Sequence, residues 1–398
     1  MTAPTHPPIN PFALDARLSA LRDRVREFVE HEAIPRESAA LAHDVEALDA
    51  VLGELRPLAK AAGIYAPQLP AERGGLGLSW RERAVVLEEA GRSLLGAGAI
   101  NCAAPDQPNM INLIAHGTPA QQARYLDPLI RGDIRSCFAM TEPSPGAGSD
   151  PSMLRTRARR RPGGGWTIDG HKWFISGAVG AAFAIVLAQT DEGATTFIVD
   201  TDNPGYTLVR DIRSLGAFQI GGHGEIRFDG CEVGDDAVLG EVGQGLAYAQ
   251  LRLEPARLSH CMRFIGRASR AMSIAQDYVN QRSSFGQRLA DLQQVQAMVA
   301  DSHIDLHACR LMTWHAAALM DAGLPVKHES AMTKVFVSEA VFRVVDRAAQ
   351  MMGALGMSED TPVGLIFSEL RPFRVYDGAS ELHRATLARR ILKTGLRA

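Results

Sequence analysis

Residues 244–282, QGLAYAQLRLEPARLSHCMRFIGRASRAMSIAQDYVNQR, decide the fold class, because they read as one very long helix. Helices of this length usually pack into bundles, and Pro255 is expected to interrupt this one. Three further helical stretches follow, at about 291–322, 327–353 and 380–393. Together they predict a C-terminal four-helix bundle domain over residues 243–398. Apolar residues recur at helical spacing in the long helix, at Leu258, Met262, Ile265, Ala268 and Met272.

The chain before this helix, residues 136–242, has the short period of β-strands. Turn-forming stretches rich in glycine, such as PGGG and GGHG, separate the strand-like runs. The pattern predicts a compact central antiparallel β domain. The strand-like runs are MLRTRARR, GWTIDGHKWFIS, AFAIVLAQT, TTFIVDT and EIRFDGCEV.

Residues 1–135 read as an N-terminal helical domain. Ser79 and Glu82 have the spacing of a capping box, which predicts that a helix begins there. Thr118 followed by Pro119 predicts another helix start. The fold class expected for the whole chain is therefore α+β, with three domains.

Composition limits the class of function. The 398 residues are 46% hydrophobic and carry a net charge of -3, which argues against a general nucleic-acid binder. The five cysteines are far apart and form no CxxC pair, so the sequence suggests a reducing compartment without a metal site. The N-terminus lacks the features of a signal or transit peptide, and no apolar run is long enough to span a bilayer. We expect a cytoplasmic protein with no membrane partner.

A basic run at 155–161 and two other stretches each allow a bland and a functional interpretation. The arginines of the run alternate as on an exposed strand face, or they bind an anion. The small-residue loop CFAMTEPSPGAGSD at 137–150 is a structural loop, or its backbone N–H groups meet a flat polar ring. In GHKWFISG, Phe174 and Ser176 belong to a strand with core aromatics, or they flank an aromatic cofactor.

Two helix-end motifs are equally open. In QRSSFGQRL, Arg282 and Arg288 are suited to binding a pyrophosphate, but solvated arginines at helix ends are common. In QMMGALG, Gly353 either ends a helix or allows a ligand to approach closely. The sequence has no dinucleotide-binding GxGxxG pattern and no P-loop.

Near the C-terminus, residues 373–390 read FRVYDGASELHRATLARR. Asp377 and Gly378 form a turn signal after a stretch that is expected to be extended, and Ser380 is a good N-cap for the following helix. Asp377 would then lie on a tight turn at the start of a helix. Its carboxylate serves the turn itself, or it is a base held against a substrate.

In this order, these stretches resemble the acyl-CoA dehydrogenase family along nearly the whole chain. The motifs NCAAPDQPNM, RSCFAMTEP and LSHCMRFIG are most similar to the branch that contains acyl-CoA dehydrogenase family members 10 and 11. The resemblance implies the family's three-domain fold and an FAD bound noncovalently between the β domain and the bundle.

The resemblance also implies residues that bind FAD. Met140 and Thr141 would meet the pyrimidine edge of the flavin, while Phe174 and Ser176 would cover the ring and bond near N5. A further set would reach the pyrophosphate and adenine of FAD in a neighbouring subunit, which implies a homodimer or homotetramer. That set is Arg282, Phe285, Gln350 and Gly353.

For the substrate, the resemblance implies an acyl-CoA. Asp377 would be the catalytic base that removes the α-proton while the β-hydrogen leaves as hydride to flavin N5, giving a trans-2-enoyl-CoA. Electrons would then pass to electron-transferring flavoprotein. Most of the family has Glu at this position, so the reach of the carboxylate is shorter by roughly 1.5 Å; we expect the backbone to compensate. The implied substrate-binding residues are Ser149, Arg257, Tyr376 and Gly378.

Other activities of the same fold stay open at this point. They are a relative that processes 4-hydroxy- or 4-phosphoacyl-CoA, a flavin oxidase of the nitroalkane oxidase type, and a non-catalytic flavoprotein. The sequence specifies neither the length and branching of the acyl chain nor whether the thioester is on CoA or on a carrier protein.

Overall fold

The computed structural model describes residues 13–38, 44–215 and 219–395. The N-terminal part is helical, as expected, and both predicted helix starts are confirmed: Ser79 with Glu82 and Thr118 with Gln121 form capping boxes. Its helices are α1 (Ala16–Phe28), α2 (Val45–Ala61), α3 (Trp80–Gly91), α4 (Gly96–Ala99), α5 (Asp106–His116), α6 (Pro119–Gln121) and α7 (Asp127–Arg131).

The central part is a seven-stranded sheet. Its strands are β1 (Ser136–Ala139), β2 (Arg157–Arg160), β3 (Trp166–Ser176), β4 (Phe183–Thr190), β5 (Gly193–Asp200), β6 (Tyr206–Asp211) and β7 (His223–Val233). The order is β1-β4-β2-β3-β7-β6, with β5 paired to β4. Strands β2 to β5 and β7 contain the predicted runs, whereas β6 was missed because its side chains are almost all exposed and show no alternation.

The expectation of a wholly antiparallel domain is wrong for two strand pairs. Strand β4 runs parallel to β1 along four residue pairs and meets β2 in parallel at one pair. Other strands lie between these partners in sequence, so no tight hairpin forces them into opposite directions. The remaining pairs, β2 with β3, β3 with β7, β4 with β5, and β6 with β7, are antiparallel.

Four long helices form the C-terminal part, as predicted. They are α8 (Gly245–Gln281), α9 (Gln293–Asp321), α10 (Lys327–Met352) and α13 (Ser380–Thr394), accompanied by the shorter α11 (Ala354–Met357) and α12 (Val363–Leu370). A small hairpin of β8 (Ser283–Ser284) and β9 (Gln287–Arg288) connects α8 to α9.

The predicted interruption at Pro255 is wrong, because α8 continues through it. Proline removes only one helical hydrogen bond, and Pro255 is buried in a helix that packs against α3, α9 and α10. The tertiary contacts therefore hold the helix together across this position.

The two helical parts share one apolar core, which brings Leu52, Leu95, Phe264 and Phe373 into the same cluster. A second core, around Trp166 and Phe197, lies inside the β part. The domain limits 1–135, 136–242 and 243–398 stay a prediction. All five cysteines are free and buried.

In the described ranges, no helix is long and apolar enough to cross a membrane. The same residues contain no group of three or more His, Cys, Asp or Glu that could hold a metal ion. The basic run is an exposed face, since Arg155, Arg157 and Arg159 point outward while Thr156 and Ala158 are buried between them.

Candidate functional site

The chain in front of Asp377 is not extended, so that prediction is wrong. Residues Arg371–Arg374 form a short 3-10 helix, and the carbonyl of Pro372 accepts hydrogen bonds from the N–H groups of both Val375 and Tyr376. This closed turn delivers Asp377 directly to the start of α13. The predicted N-cap is also wrong by one residue: Ala379 is the N-cap, and Ser380 begins the helix with its side chain buried.

Asp377 and Gly378 both have left-handed backbone conformations, with φ of +54° and +93°. A Cβ at Gly378 would lie 2.6 Å from Nε2 of His383, so glycine is required there. Three basic side chains hold the turn through its carbonyl oxygens. Arg257 Nε donates to Asp377 O at 2.8 Å, His383 Nε2 lies 3.1 Å from the same oxygen, and Lys334 Nζ donates to Gly378 O at 2.6 Å.

The Asp377 carboxylate lies in an aromatic environment. Its side chain is 18% exposed, and its buried Oδ2 accepts no hydrogen bond from the part of the chain that the structure describes. His260 Nδ1 is 3.3 Å from that oxygen. The ring of Phe373 stacks on the imidazole, and the ring of Tyr376 packs against it at a tilt. Burial raises the pKa of Tyr376 well above its ordinary value, so its hydroxyl is neutral.

Positive charge surrounds this carboxylate. Burial lowers the pKa of Lys334 to about 8 and that of Arg252 to about 10, although attraction to Asp377 opposes both shifts. Burial also lowers the pKa of Arg257. At pH 7 these three groups are still cations, and each is attracted to Asp377.

A second group of residues lies where the loop after β1 meets β3. The Glu142 carboxylate forms an ion pair with Lys172 Nζ at 2.9 Å, and the two side chains are 2% and 0% exposed. Lys172 Nζ also donates to Met140 O at 3.0 Å, and Trp173 N–H donates to Thr141 O at 3.0 Å. The pair thus fixes the backbone of the loop that precedes Ser149. The Ser149 side chain is exposed.

The same edge carries an exposed aromatic ring and a hydroxyl. Phe174 is 45% exposed and has a φ of +51°, which is uncommon for a bulky residue and turns its ring away from the sheet. Ser176 Oγ is 3.0 Å from Nδ1 of His223. Burial lowers the pKa of His223, so the imidazole is neutral. An aromatic face, a fixed hydroxyl and a loop with open backbone fit a flat polar ring such as a flavin.

The other predicted FAD-binding residues, Arg282, Phe285, Gln350 and Gly353, are all exposed, and the helices α8 and α10 place Arg282 and Gln350 far from the Asp377 turn. At 1.5 Å per helical residue, Arg282 is about 37 Å along α8 from Arg257, which contacts the Asp377 turn. Gln350 is about 24 Å along α10 from Lys334. A Cβ at Gly353 would meet open space, so these residues are available to another molecule.

Sequence reasoning missed several residues that the structure places at the site, among them Arg252, His260, Lys334, His383 and the ion pair of Glu142 with Lys172. Lys172 had a recognisable signal, because a lysine within a strand of core aromatics needs a buried counter-charge. The residues that act on Asp377 or Gly378 come from other positions in the chain, and no local pattern marks them.

Comparison with known proteins identifies the family. Models of the acyl-CoA dehydrogenase N-terminal, middle and C-terminal domains match residues 15–133, 137–231 and 243–392. Acyl-CoA dehydrogenase family member 10 of Mus musculus is 35% identical over 97% of this chain, and (R)-benzylsuccinyl-CoA dehydrogenase of Thauera aromatica is 34% identical over 96% of this chain and 97% of its own length. The chain spans between 38% and 51% of the length of the family members 10 and 11 that it matches.

Solved structures agree with the family. The glutaryl-CoA dehydrogenase of Mycobacterium smegmatis superposes with a TM-score of 0.86 at 26% identity, covering 98% of this chain and 97% of that chain. The predicted resemblance and the predicted α+β fold are therefore confirmed. The chain belongs to the acyl-CoA dehydrogenase family of flavin-dependent oxidoreductases, and its cofactor is FAD.

Proposed function

We propose that this protein dehydrogenates an acyl-CoA to a trans-2-enoyl-CoA, with Asp377 as the base that removes the α-proton. The main support is the environment of its carboxylate. Its buried Oδ2 accepts no hydrogen bond from the described chain, so that oxygen is available to take a proton from a ligand. It is attached to a backbone turn that three basic side chains hold.

The proposed step uses Asp377 on one side of the reacting bond. The carboxylate takes the α-proton of the thioester and becomes a neutral acid, while the electrons of the C–H bond form the new double bond. When bound, FAD supplies the acceptor for the β-hydrogen, which leaves as hydride. The base and the hydride acceptor act on the two carbons of one Cα–Cβ bond. Most of the acceleration therefore comes from holding these two groups in the right orientation.

The aspartate is short, and the turn can make up for it. The left-handed conformations of Asp377 and Gly378 allow the backbone to approach a ligand closely. The absence of a Cβ at Gly378 leaves room for the His383 imidazole, which lies against the carbonyl oxygen of Asp377. We propose that this turn, with Tyr376 beside it, brings the shorter carboxylate to the distance that a glutamate would reach.

The positive surroundings suit the substrate. CoA thioesters carry phosphates, and removal of the α-proton places negative charge on the thioester. Burial of Lys334 and Arg252 weakens the competition of water for their charges. We propose that this field favours the anionic form of the substrate, with Ser149 beside the acyl thioester and Arg257 near the CoA chain.

For FAD, we propose two sets of contacts. Met140, Thr141, Phe174 and Ser176 would hold the flavin ring within one chain. The exposed residues Arg282, Phe285, Gln350 and Gly353 would reach the pyrophosphate and adenine of an FAD on a second copy. A homodimer or homotetramer follows from this division, and electron-transferring flavoprotein is the proposed electron acceptor.

The test is an anaerobic titration of the FAD-loaded protein with butyryl-, octanoyl-, palmitoyl-, glutaryl- and benzylsuccinyl-CoA. We expect at least one thioester to bleach the flavin absorbance and to yield its 2-enoyl product by mass spectrometry. Asp377→Asn, which keeps the shape of the side chain, should retain FAD and lose bleaching by more than about 1,000-fold.

A matched control is Asp360→Asn, since Asp360 is an exposed carboxylate in a loop of the same bundle. It should bleach at the wild-type rate. If no thioester bleaches the wild type, the dehydrogenase proposal is wrong. If Asp377→Asn bleaches as fast as Asp360→Asn, the activity stands but the base is another residue.

A further inference from the structure

His260 lies on α8 with its imidazole against the Asp377 carboxylate. Its Nδ1 is 3.3 Å from Asp377 Oδ2 and 2.8 Å from the carbonyl oxygen of Ala256, one helical turn earlier. A carbonyl only accepts hydrogen bonds, so Nδ1 carries the proton and donates to Ala256 O. The N–H therefore points along the helix, and the carboxylate oxygen lies beside it.

The imidazole is locked in this place. Its ring centroid is 5.8 Å from that of Phe373, nearly parallel to it at 27°, and 5.2 Å from that of Tyr376. Phe264 contacts it from the next turn of α8, at 5.7 Å. With one nitrogen bonded to the helix and three aromatic neighbours, the ring has little freedom to rotate, so it forms a rigid surface next to the carboxylate.

The charge state of His260 is compatible with Asp377 acting as a base. Burial lowers its pKa to about 4, and the nearby Arg263 adds to this effect although Asp377 opposes it. The imidazole is therefore neutral at pH 7. A neutral ring can contact the carboxylate without adding a further cation to those of Lys334, Arg252 and Arg257.

The carboxylate needs such a contact. Its buried Oδ2 has no hydrogen-bond donor in the described chain, so no directional bond to that oxygen sets the rotation of the side chain. The backbone carbonyls of the turn are held, but they fix only the Cα position of Asp377. Those backbone bonds do not set the two side-chain torsions of Asp377. An error of about 1 Å in the position of the base can reduce the rate about 100-fold.

We propose that His260 is a positioning residue, which fixes the rotation of the Asp377 carboxylate and so compensates for the lost methylene. This inference rests on the proposed role of Asp377 as base. In this role His260 touches neither the substrate nor the reacting atoms. It acts through Asp377 alone.

The test compares three substitutions in the FAD-loaded protein. His260→Phe keeps the ring but removes both nitrogens, His260→Asn keeps an N–H near the position of Nδ1, and His260→Ala removes the contact. The probe is whichever of the five CoA thioesters bleaches the wild type fastest, mixed anaerobically in a stopped-flow instrument. His307→Ala is the matched control, because His307 is exposed on α9.

We expect the bleaching rate at saturating thioester to fall at least 10-fold in His260→Ala and His260→Phe, and less than 5-fold in His260→Asn. The dissociation constants of FAD and thioester should change by less than 3-fold in all three. An effect confined to thioester binding would contradict the inference, because a positioning residue changes the rate of the step and not the affinity.

A double-mutant cycle with Asp377→Glu gives a readout that general loss of structure would not produce. In the wild-type background, the longer carboxylate collides with the fixed imidazole, so Asp377→Glu should slow bleaching. In the His260→Ala background the space is open, and Asp377→Glu should raise the rate. We expect a coupling of at least 5-fold between the two positions.

The outcomes separate the inference from the function on which it rests. If the wild type bleaches and the two substitutions simply multiply, His260 does not position Asp377 and the inference is wrong, while the dehydrogenase proposal stands. If His260→Phe bleaches like His307→Ala, the inference is likewise wrong. If the wild type is not bleached by any of the five thioesters, both the dehydrogenase proposal and the inference about His260 are wrong.

Discussion

The buried ion pair of Glu142 and Lys172 gives the most quantitative prediction. Lys172→Met replaces a fully buried ammonium by an apolar side chain of similar length and leaves the carboxylate of Glu142 without its counter-charge. Removing one partner of a buried pair costs about 3 to 5 kcal/mol, whereas an exposed pair contributes little. With an unfolding entropy of about 2.1 cal/mol/K per residue, the 398-residue chain should lose about 4 to 6 °C in Tm.

The effect should be near the lower end of that range, because Glu142 keeps three backbone donors. These are the N–H groups of Ala147, Arg155 and Thr156, at 3.1, 2.7 and 2.8 Å. Glu142→Leu removes the acceptor of all three and also leaves Lys172 unpaired. It should therefore be more destabilising than Lys172→Met.

The measurement is differential scanning calorimetry at pH 7, with Arg159→Met as the matched control. Arg159 pairs with Asp169 on the same sheet, but both side chains are largely exposed, so Tm should change by less than about 1 °C. A Lys172→Met shift as small as that of Arg159→Met would refute the assignment of a stabilising buried pair. FAD content should also fall in Lys172→Met, because Met140 O loses its donor.

The deficit of Lys172→Met should depend on pH with a definite sign. Although burial alone raises the pKa of Glu142, the Lys172 charge and the hydrogen bonds lower it from 4.5 to about 2. A carboxyl with a lowered pKa stabilises the fold above pH 4.5, and this stabilisation disappears as pH falls towards 2. The gap between wild type and variant should therefore be widest above pH 5 and should narrow below it; a gap that widens on acidification would contradict this origin.

Three further substitutions test the Asp377 turn and the proposed FAD contacts. Gly378→Ala places a Cβ 2.6 Å from His383 Nε2 at a φ of +93°, so we expect a loss of about 1 to 3 kcal/mol in unfolding free energy and bleaching at least 10-fold slower; wild-type behaviour in both assays would contradict the required glycine. Ala379→Thr supplies an oxygen at an N-cap that has no side-chain hydrogen bond, and should raise the unfolding free energy by about 1 kcal/mol in denaturant titrations; a decrease would mean that the cap cannot form. Phe285→Ser changes a side chain that is 97% exposed, so Tm of the FAD-free chain should be unchanged, while the FAD dissociation constant rises at least 5-fold if a second copy contributes this ring; an unchanged constant would remove that contact.

Local signals account for much of the fold. The caps at Ser79 and Thr118 and the long helices follow from side-chain chemistry and periodicity within a few residues, and the structure has them. The parallel pairing of β1 with β4 could not be read in this way, because it depends on which strands meet in three dimensions. The predicted interruption at Pro255 failed for a related reason. Packing around α8 outweighs the local tendency of proline to break a helix.

The candidate site also contains residues that a local sequence pattern indicates and residues that only the tertiary structure brings together. The sequence singled out Asp377 because it follows aromatic residues and precedes a glycine and a helix, all within one short motif; its role as base stays a prediction. The groups that hold it come from other helices: His260 and Arg257 from α8, and Lys334 from α10. Their role depends on the packing of the bundle, so a single sequence contains no pattern that identifies them.

Arg257 is the residue for which the sequence and the structure suggest different roles, and a kinetic experiment can decide between them. The family resemblance assigns it to the CoA chain, whereas in the structure its Nε donates to Asp377 O at 2.8 Å. A charge-assisted hydrogen bond of this kind contributes about 1.5 to 3 kcal/mol. If its main role is to hold the turn, Arg257→Met should lower the bleaching rate at saturating thioester by about 10- to 100-fold, because the base loses its position.

The affinity for the thioester should then change by less than 3-fold. Arg389→Met, which removes an exposed arginine from α13, is the control for loss of positive charge and should bleach at the wild-type rate. The opposite pattern would assign Arg257 to CoA binding. In that pattern the dissociation constant of the thioester increases while the bleaching rate at saturating thioester is unchanged. In that case the Asp377 turn would depend on Lys334 and His383 alone, and the short carboxylate would be held less tightly than the three hydrogen bonds suggest.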